Sequence, residues 1–178
     1  PHSCRYCQTP CMFGHWMRHR SIDSIREMAS HFRQIRFVSP NALAYGSDGI
    51  HLRLDKVEKL LRVLVHDLSR EVYFGTFPSE VRPESVTPES AGLISEYCDN
   101  TRLHIGVQSG SDACLSRLHR GHTSHDALCA LDYTRDAGLT PLVDVIFGFP
   151  GILQKYSDTL NRFGDRKNKN RTTIHDIL

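Results

Sequence analysis

An α/β fold of parallel strands is what this sequence predicts, and three observations predict it. Short apolar runs alternate with longer stretches of helical period between Ser21 and Phe147, the pattern of repeated βα units joined by right-handed crossovers. The runs are followed by polar or glycine-bearing groups: Ser39-Pro40-Asn41, Ser79-Glu80-Val81-Arg82, Gln108-Ser109-Gly110 and Gly148-Phe149-Pro150-Gly151. In parallel α/β folds the loops beyond the carboxyl ends of the strands share one rim, so these groups are expected to converge on one site. Finally, hydrophobic residues make up 39% and charged residues 24% of the 178-residue chain, enough for one domain with a sizeable core.

The elements follow in order. Ser21 caps a helix to about Arg33, and Gln34 to Ser39 reads as a strand. Leu54, Val57, Leu60, Leu61, Leu64 and Leu68 trace one face of the next helix, and Glu71 to Gly75 is the strand after it. Thr87-Pro88-Glu89 is a strong helix start, with a capping hydroxyl, proline in the first turn and an acid beside it. A strand at Leu103 to Val107, a helix from Ser124 that stops at Gly138, and a strand at Leu142 to Phe147 complete the alternation. A closed barrel and an open doubly wound sheet both satisfy this pattern.

From Ile152 to Leu178 no strand is expected, and the stretch Lys167 to Arg171 reads as a solvated loop or frayed tail. This divides the chain into a core over 1–151 and a divergent polar, basic segment over 152–178.

A net charge of +2 is too mild to imply nucleic acid. Arg18, His19, Arg20, Arg26, Arg33 and Arg36 make the first forty residues locally basic, as a solvated helix face does. There is no apolar run long enough for a membrane span and no signal-peptide core at the start, so a cytoplasmic location is expected. Three of the six cysteines cluster and three are scattered, which fits reduced thiols with one metal site better than a disulfide framework.

The cluster Cys4-x2-Cys7-x3-Cys11-x3-His15 admits two metal readings. As it stands it offers Cys4, Cys7, Cys11 and His15 to one structural zinc ion in a non-catalytic α/β module. If the residue before Pro1 is itself Cys, the run becomes C-x3-C-x2-C and resembles the cluster loop of radical S-adenosylmethionine proteins, a resemblance that implies three thiolates holding three irons of a [4Fe-4S] cluster.

With this second register the chain resembles the radical S-adenosylmethionine (SAM) superfamily. The resemblance extends beyond the cysteines to LHIGVQSGSDACLSRLHRGHT at Leu103 to Thr123 and VDVIFGFPG at Val143 to Gly151. These look like regions of methylthiotransferases and oxygen-independent coproporphyrinogen oxidases. IRFVSPNALAYGSDG at Ile35 to Gly49, with QTP after the cluster, resembles archaeal-type members that carry a cobalamin-binding domain upstream.

The resemblance implies an incomplete (βα)6 partial TIM barrel, lacking its first strand and the acidic continuation after GFPG. It implies Cys4 and Cys7 as cluster ligands, with the first ligand before Pro1 and Cys11 a bystander. It implies SAM contacts from Tyr6 to the adenine, Glu80 to the ribose or amino group, Gln108 with neighbouring Ser109 to the ribose hydroxyls, Arg120 to the carboxylate and Asp144 to the ribose. The activity implied is reductive cleavage of SAM to a 5′-deoxyadenosyl radical that abstracts hydrogen from a small-molecule substrate, fed by a ferredoxin or flavodoxin. Cobalamin-dependent methyl transfer and an RNA-modifying, methylthiotransferase-like activity are the further outcomes it implies. His119 and His122 flank Arg120, where they can line the site, but neither is among the expected site residues.

Overall fold

The computed structural model describes residues 2–149 and 173–177. Helices and strands run in the order α1 (Thr9–Phe13), α2 (Ile22–Ala29), β1 (Gln34–Arg36), α3 (Leu54–Arg62), β2 (Glu71–Tyr73), α4 (Pro88–Tyr97), β3 (Arg102–Gln108), α5 (Asp112–Arg117), α6 (Ser124–Asp136), β4 (Thr140–Ile146) and β5 (Thr173–Ile177). All the strand pairings among the described residues are parallel. β1 lies beside β2 with Ile35 opposite Val72, and β4 lies between β3 and β5. Val81, after β2, bridges the two ladders: its amide donates to His104 O at 2.8 Å and its carbonyl accepts from Gly106 N at 3.0 Å.

Local chemistry explains where the helices begin. Ser21 Oγ accepts from Ser24 N at the start of α2. Thr87 and Ser90 form a reciprocal capping box at α4, with Pro88 in the first turn, and Thr123 and Asp126 do the same at α6. α3 does not stop at Arg62 but widens into a π turn over Val63–Asp67, so the apolar face read from sequence continues to Leu64.

That face seats Val57, Leu60, Leu61 and Leu64 against Val72 and Phe74 from the β2 strand and its exit, and Ile94, Ala127, Ala130 and Leu131 from α4 and α6 close the layer. All are at most 1% exposed, and each large apolar side chain so placed contributes roughly 1.5–3 kcal/mol of burial. Along β3, Leu103, Ile105 and Val107 belong to this core. Strand alternation therefore turns the other set, with Gly106 at its centre, to the opposite face.

The expectation of no strand after Ile152 is corrected. β5 runs parallel to β4 with Ile174 opposite Val143 and Asp176 opposite Val145. Its TIHDI run is short, and the polar and basic residues before it masked the period-two signal. The stretch Lys167 to Arg171 lies outside the described residues. α1 and α5 were not anticipated because each is at most six residues long, too short for periodicity to register.

Candidate functional site

Residues of three of the four post-strand groups converge, and Pro150 and Gly151 of the fourth lie outside the described residues. Ser39, Pro40 and Asn41 after β1, Glu80 and Arg82 after β2, Gln108 at the end of β3, Arg120 before α6 and Ile146 on β4 line one open cavity of about 1330 Å³. The N-terminal segment closes its far wall with Cys4, Tyr6 and Cys7. The loops are tied to each other: Ala42 N donates to Glu80 O at 3.0 Å, Ser79 Oγ to Ser39 O at 3.0 Å, and Asn41 Nδ2 to Ser85 Oγ at 2.9 Å.

The end of β3 is shaped for this cavity. Its register against β4 slips between Gly106, opposite Asp144, and Gln108, opposite Val145. A bulge of this kind re-aims the side chain that follows it. Gln108 adopts φ +68°, in the left-handed region, a conformation that costs a non-glycine residue about 1–3 kcal/mol and marks functional sites. Its side chain sits over Gly106: a Cβ there would lie 2.5 Å from Glu80 Oε2 and 2.8 Å from Gln108 Nε2. The missing side chain of Gly106 is therefore the floor on which Glu80 and Gln108 meet.

Electrostatics single out the same place. Burial pushes the Glu80 carboxyl above the usual carboxylate range, against the pull of Arg120, and the Asp144 charge adds to the rise. Gln108 Oε1 is buried with no hydrogen-bond partner among the described residues. Such an oxygen is costly unless a ligand donor reaches it.

The cysteine segment docks through backbone and guanidinium groups. Arg5 N donates to Leu118 O at 3.1 Å, and Cys7 N donates to Cys4 O at 3.0 Å in a tight turn. Two guanidinium groups converge on the buried Cys4 Sγ: Arg120 Nη1 at 3.7 Å and Arg82 Nη1 at 3.8 Å. Arg120 Nη1 also donates to Tyr6 Oη at 2.7 Å and its Nη2 to Gly106 O, while Nε has no partner among the described residues. Burial raises the Tyr6 phenol well above its ordinary range, opposed by the nearby Arg120 charge.

Of the residues selected from sequence, Cys4, Tyr6, Cys7, Glu80, Gln108 and Arg120 share the cavity. Asp144 stands next to Gly106 on the adjoining strand. Ser109 is fully buried, and its hydroxyl accepts from Ser111 N at 3.1 Å in the turn into α5, so its side chain serves the loop. Cys11 is exposed on α1 and His15 is exposed with Nδ1 3.4 Å from Ser3 Oγ. Among the described residues no three His, Cys, Asp or Glu side chains gather as a metal-ion site. Among the described residues Cys4, Cys7, Cys11 and His15 do not gather as the four-ligand zinc site, and Cys4 is buried where Cys11 is exposed.

Sequence reasoning gave no role to Arg82, Glu84 and His122. Arg82 Nε donates to Glu84 Oε1 at 2.5 Å, and His122 Nδ1 lies 3.5 Å from Glu84 Oε2. PES and HRGH look like ordinary loop and helix-start residues, and no spacing rule links them across 38 positions. The burial of two arginines is the signal, and it exists only in the fold.

The donor set fits a thiolate-bound cluster with SAM: a buried cysteine sulfur within reach of two guanidiniums, with an unsatisfied amide oxygen and a carboxylate in the same cavity.

The curated relatives include a tRNA-2-methylthio-N(6)-dimethylallyladenosine synthase of Finegoldia magna, 28% identical over 167 residues, which are 89% of this chain and 35% of that protein. An uncharacterized protein of Methanopyrus kandleri is 29% identical, over 87% of this chain and 31% of its own length. The chain thus spans about a third of the curated relatives it matches. Coproporphyrinogen III oxidase (HemN) of Escherichia coli, described as a radical SAM enzyme, has the same fold with TM-score 0.61 and 17% identity, over 88% of this chain and 36% of that one. The cobalamin-dependent SAM radical enzyme OxsB superposes with TM-score 0.59 and 16% identity, over 86% of this chain and 22% of that one. The family model described as the Radical SAM superfamily matches residues 1–163. Five parallel strands of a partial TIM barrel among the described residues, a cysteine loop against the rim and this match agree, and the chain belongs to the radical SAM superfamily.

Proposed function

We propose that this chain is the catalytic core of a radical SAM enzyme in which Cys4 and Cys7, with a third thiolate from upstream of Pro1, hold a [4Fe-4S] cluster. The observation that carries the reading is the pairing of Cys4 Sγ under two buried guanidiniums with the unsatisfied Gln108 Oε1 in one cavity. Bound together, the cluster and SAM supply one-electron reductive cleavage of SAM for hydrogen abstraction from a substrate.

The chain's own residues bind and orient. Gln108 Oε1, aimed by the β3 bulge, accepts from a ribose hydroxyl. Glu80 takes the amino group or ribose, and its raised pKa reflects the desolvation that a bound cation would offset. Arg120, with Nε free among the described residues, has donors to offer a carboxylate. Tyr6, 5.6 Å from Phe149 between ring centroids, gives an aromatic wall for the adenine. Asp144, opposite Gly106 on the adjoining strand, approaches the ribose, and its charge opposes ionisation of Glu80 until a ligand cation is bound.

The substrate side rests on relatives. Names such as tRNA methylthio synthase and cobalamin-dependent radical enzyme support methylthio or methyl transfer, the latter with cobalamin held by a separate upstream domain. A small-molecule substrate is the first reading. RNA is the second, favoured by a first twenty residues without Asp or Glu that expose Phe13 and Trp16 beside Arg18 and Arg20. A ferredoxin or flavodoxin is the expected electron donor.

Anaerobic reconstitution of the whole protein with iron and sulfide tests the reading. Four iron and four sulfide per chain are expected, with 5′-deoxyadenosine released from SAM on reduction. Stoichiometric zinc without sulfide would overturn it. Salt-dependent binding of tRNA would select the RNA reading over the small molecule.

A further inference from the structure

We infer that Arg82 is a positioning residue whose guanidinium, fixed by Glu84, donates to the Cys4 thiolate and raises the reduction potential of the cluster bound there. The inference rests on the reading that Cys4 ligates a [4Fe-4S] cluster, and it concerns a residue to which the sequence alone assigns no individual role.

Arg82 is 5% exposed and each arm of its guanidinium is committed: Nε to Glu84 Oε1, Nη2 to the backbone carbonyl of Arg120, and Nη1 to Cys4 Sγ at 3.8 Å. Its backbone is held as well, because Arg82 N donates to Asn41 Oδ1 at 3.4 Å and Arg82 O accepts from Ser85 N at 2.9 Å. An arginine fixed at so many points loses little entropy in making the sulfur contact.

Glu84 is the anchor, and His122 leaves it available. The side chain of His122 is fully buried, its Nε2 is 3.1 Å from Val107 O, and Nδ1 has no hydrogen bond among the described residues. A carbonyl can only accept, so Nε2 carries the proton. In the neutral ring Nδ1 is then an acceptor that faces Glu84 without bonding to it. The Glu84 carboxylate therefore spends its charge on Arg82.

Arg120 contrasts with this arrangement. Its Nη1 is divided between Tyr6 Oη and Cys4 Sγ, and its Nε is unsatisfied among the described residues. Arg120 can turn toward a SAM carboxylate and still leave Cys4 with one guanidinium donor, the one Arg82 holds in place.

Reduction adds one electron to [4Fe-4S]²⁺ and makes the cluster and its thiolates more negative. A fixed cation and an N–H bond at sulfur favour that product, so their loss lowers the potential.

The test is an EPR-monitored redox titration of the reconstituted whole protein, with dithionite as the one-electron reductant. Arg82→Gln is expected to reduce the equilibrium constant for cluster reduction about tenfold, which for a one-electron couple is about 59 mV. Arg82→Lys keeps the charge and should recover part of the shift, and Glu84→Gln should move the potential in the same direction as Arg82→Gln by a smaller amount. If Arg82→Gln fails to hold a cluster, Arg82→Lys and Glu84→Gln carry the comparison. Potentials within twofold of the native equilibrium constant in every variant that loads would overturn the inference, as would a drop in thermal stability with no shift. Failure of the underlying reading looks different: the native protein itself would take up no iron and sulfide.

Discussion

Gly106→Ala separates a folding role from a ligand-holding role for the end of β3. The added methyl would sit 2.5 Å from Glu80 Oε2 and 2.8 Å from Gln108 Nε2. To reach ordinary van der Waals contact the Glu80 oxygen must retreat by about 0.9 Å. The obstructing atoms are ends of side chains, so the fold can absorb the change. Replacing glycine in a strand interior also returns roughly 0.5–1 kcal/mol of backbone entropy, which offsets much of the strain. The ligand site has no such compensation. Displacing a charged hydrogen-bonding group forfeits about 1.5–3 kcal/mol, or roughly ten- to 150-fold in SAM affinity. Calorimetric titration of SAM into the reconstituted protein, beside a thermal melt, reads both quantities. Native stability with SAM binding weakened at least tenfold is expected. Native stability with unchanged SAM affinity would refute the placement of SAM against Glu80 and Gln108.

Other outcomes follow from the same structure. Burial of His122, reinforced by the Arg120 charge, pushes its pKa down to about 4 from the ordinary 6.5 of a histidine. The unfolded chain therefore binds the proton first: the contribution is complete above pH 6.5 and is lost toward pH 4, at about 1.4 kcal/mol per pH unit. Urea unfolding of His122→Gln across that window should show a shallower slope, and an unchanged slope would contradict the assignment. Cys4→Ala should abolish cluster assembly by iron and sulfide analysis, whereas Cys11→Ala, on exposed α1, should leave it intact; loss in the Cys11 variant would overturn the ligand register. Thr87→Ala removes half of the α4 capping box and should lower stability by about 1 kcal/mol in chemical denaturation.

The fold was legible where local rules and burial agree. The caps at Ser21, Thr87 and near Ser124, the apolar face of α3 and the four apolar strands all stand within a few residues of their expected positions, because each is fixed by neighbours in sequence. β5 was missed because its partner, β4, supplies by hydrogen bonding what its own composition does not advertise. At the site, Gln108, Glu80 and Arg120 were legible through motif resemblance and rim position. The bulge that aims Gln108 was not, since it arises from register against β4 rather than from the QSG sequence. Nor was the link from Glu84 through Arg82 to Cys4, whose last member joins it only when the N-terminal segment docks on the loop after α5.

The central claim is that Cys4 and Cys7 hold a redox cluster facing a SAM cradle built on Gly106, Glu80 and Gln108. EPR of the dithionite-reduced whole protein, recorded with and without SAM, tests it most directly. The account predicts a spin-half [4Fe-4S]⁺ signal that changes on adding SAM, persists in Cys11→Ala, loses its response in Gly106→Ala and vanishes in Cys4→Ala. No cluster signal in the native protein, or a signal indifferent to SAM at saturating concentration, would contradict it.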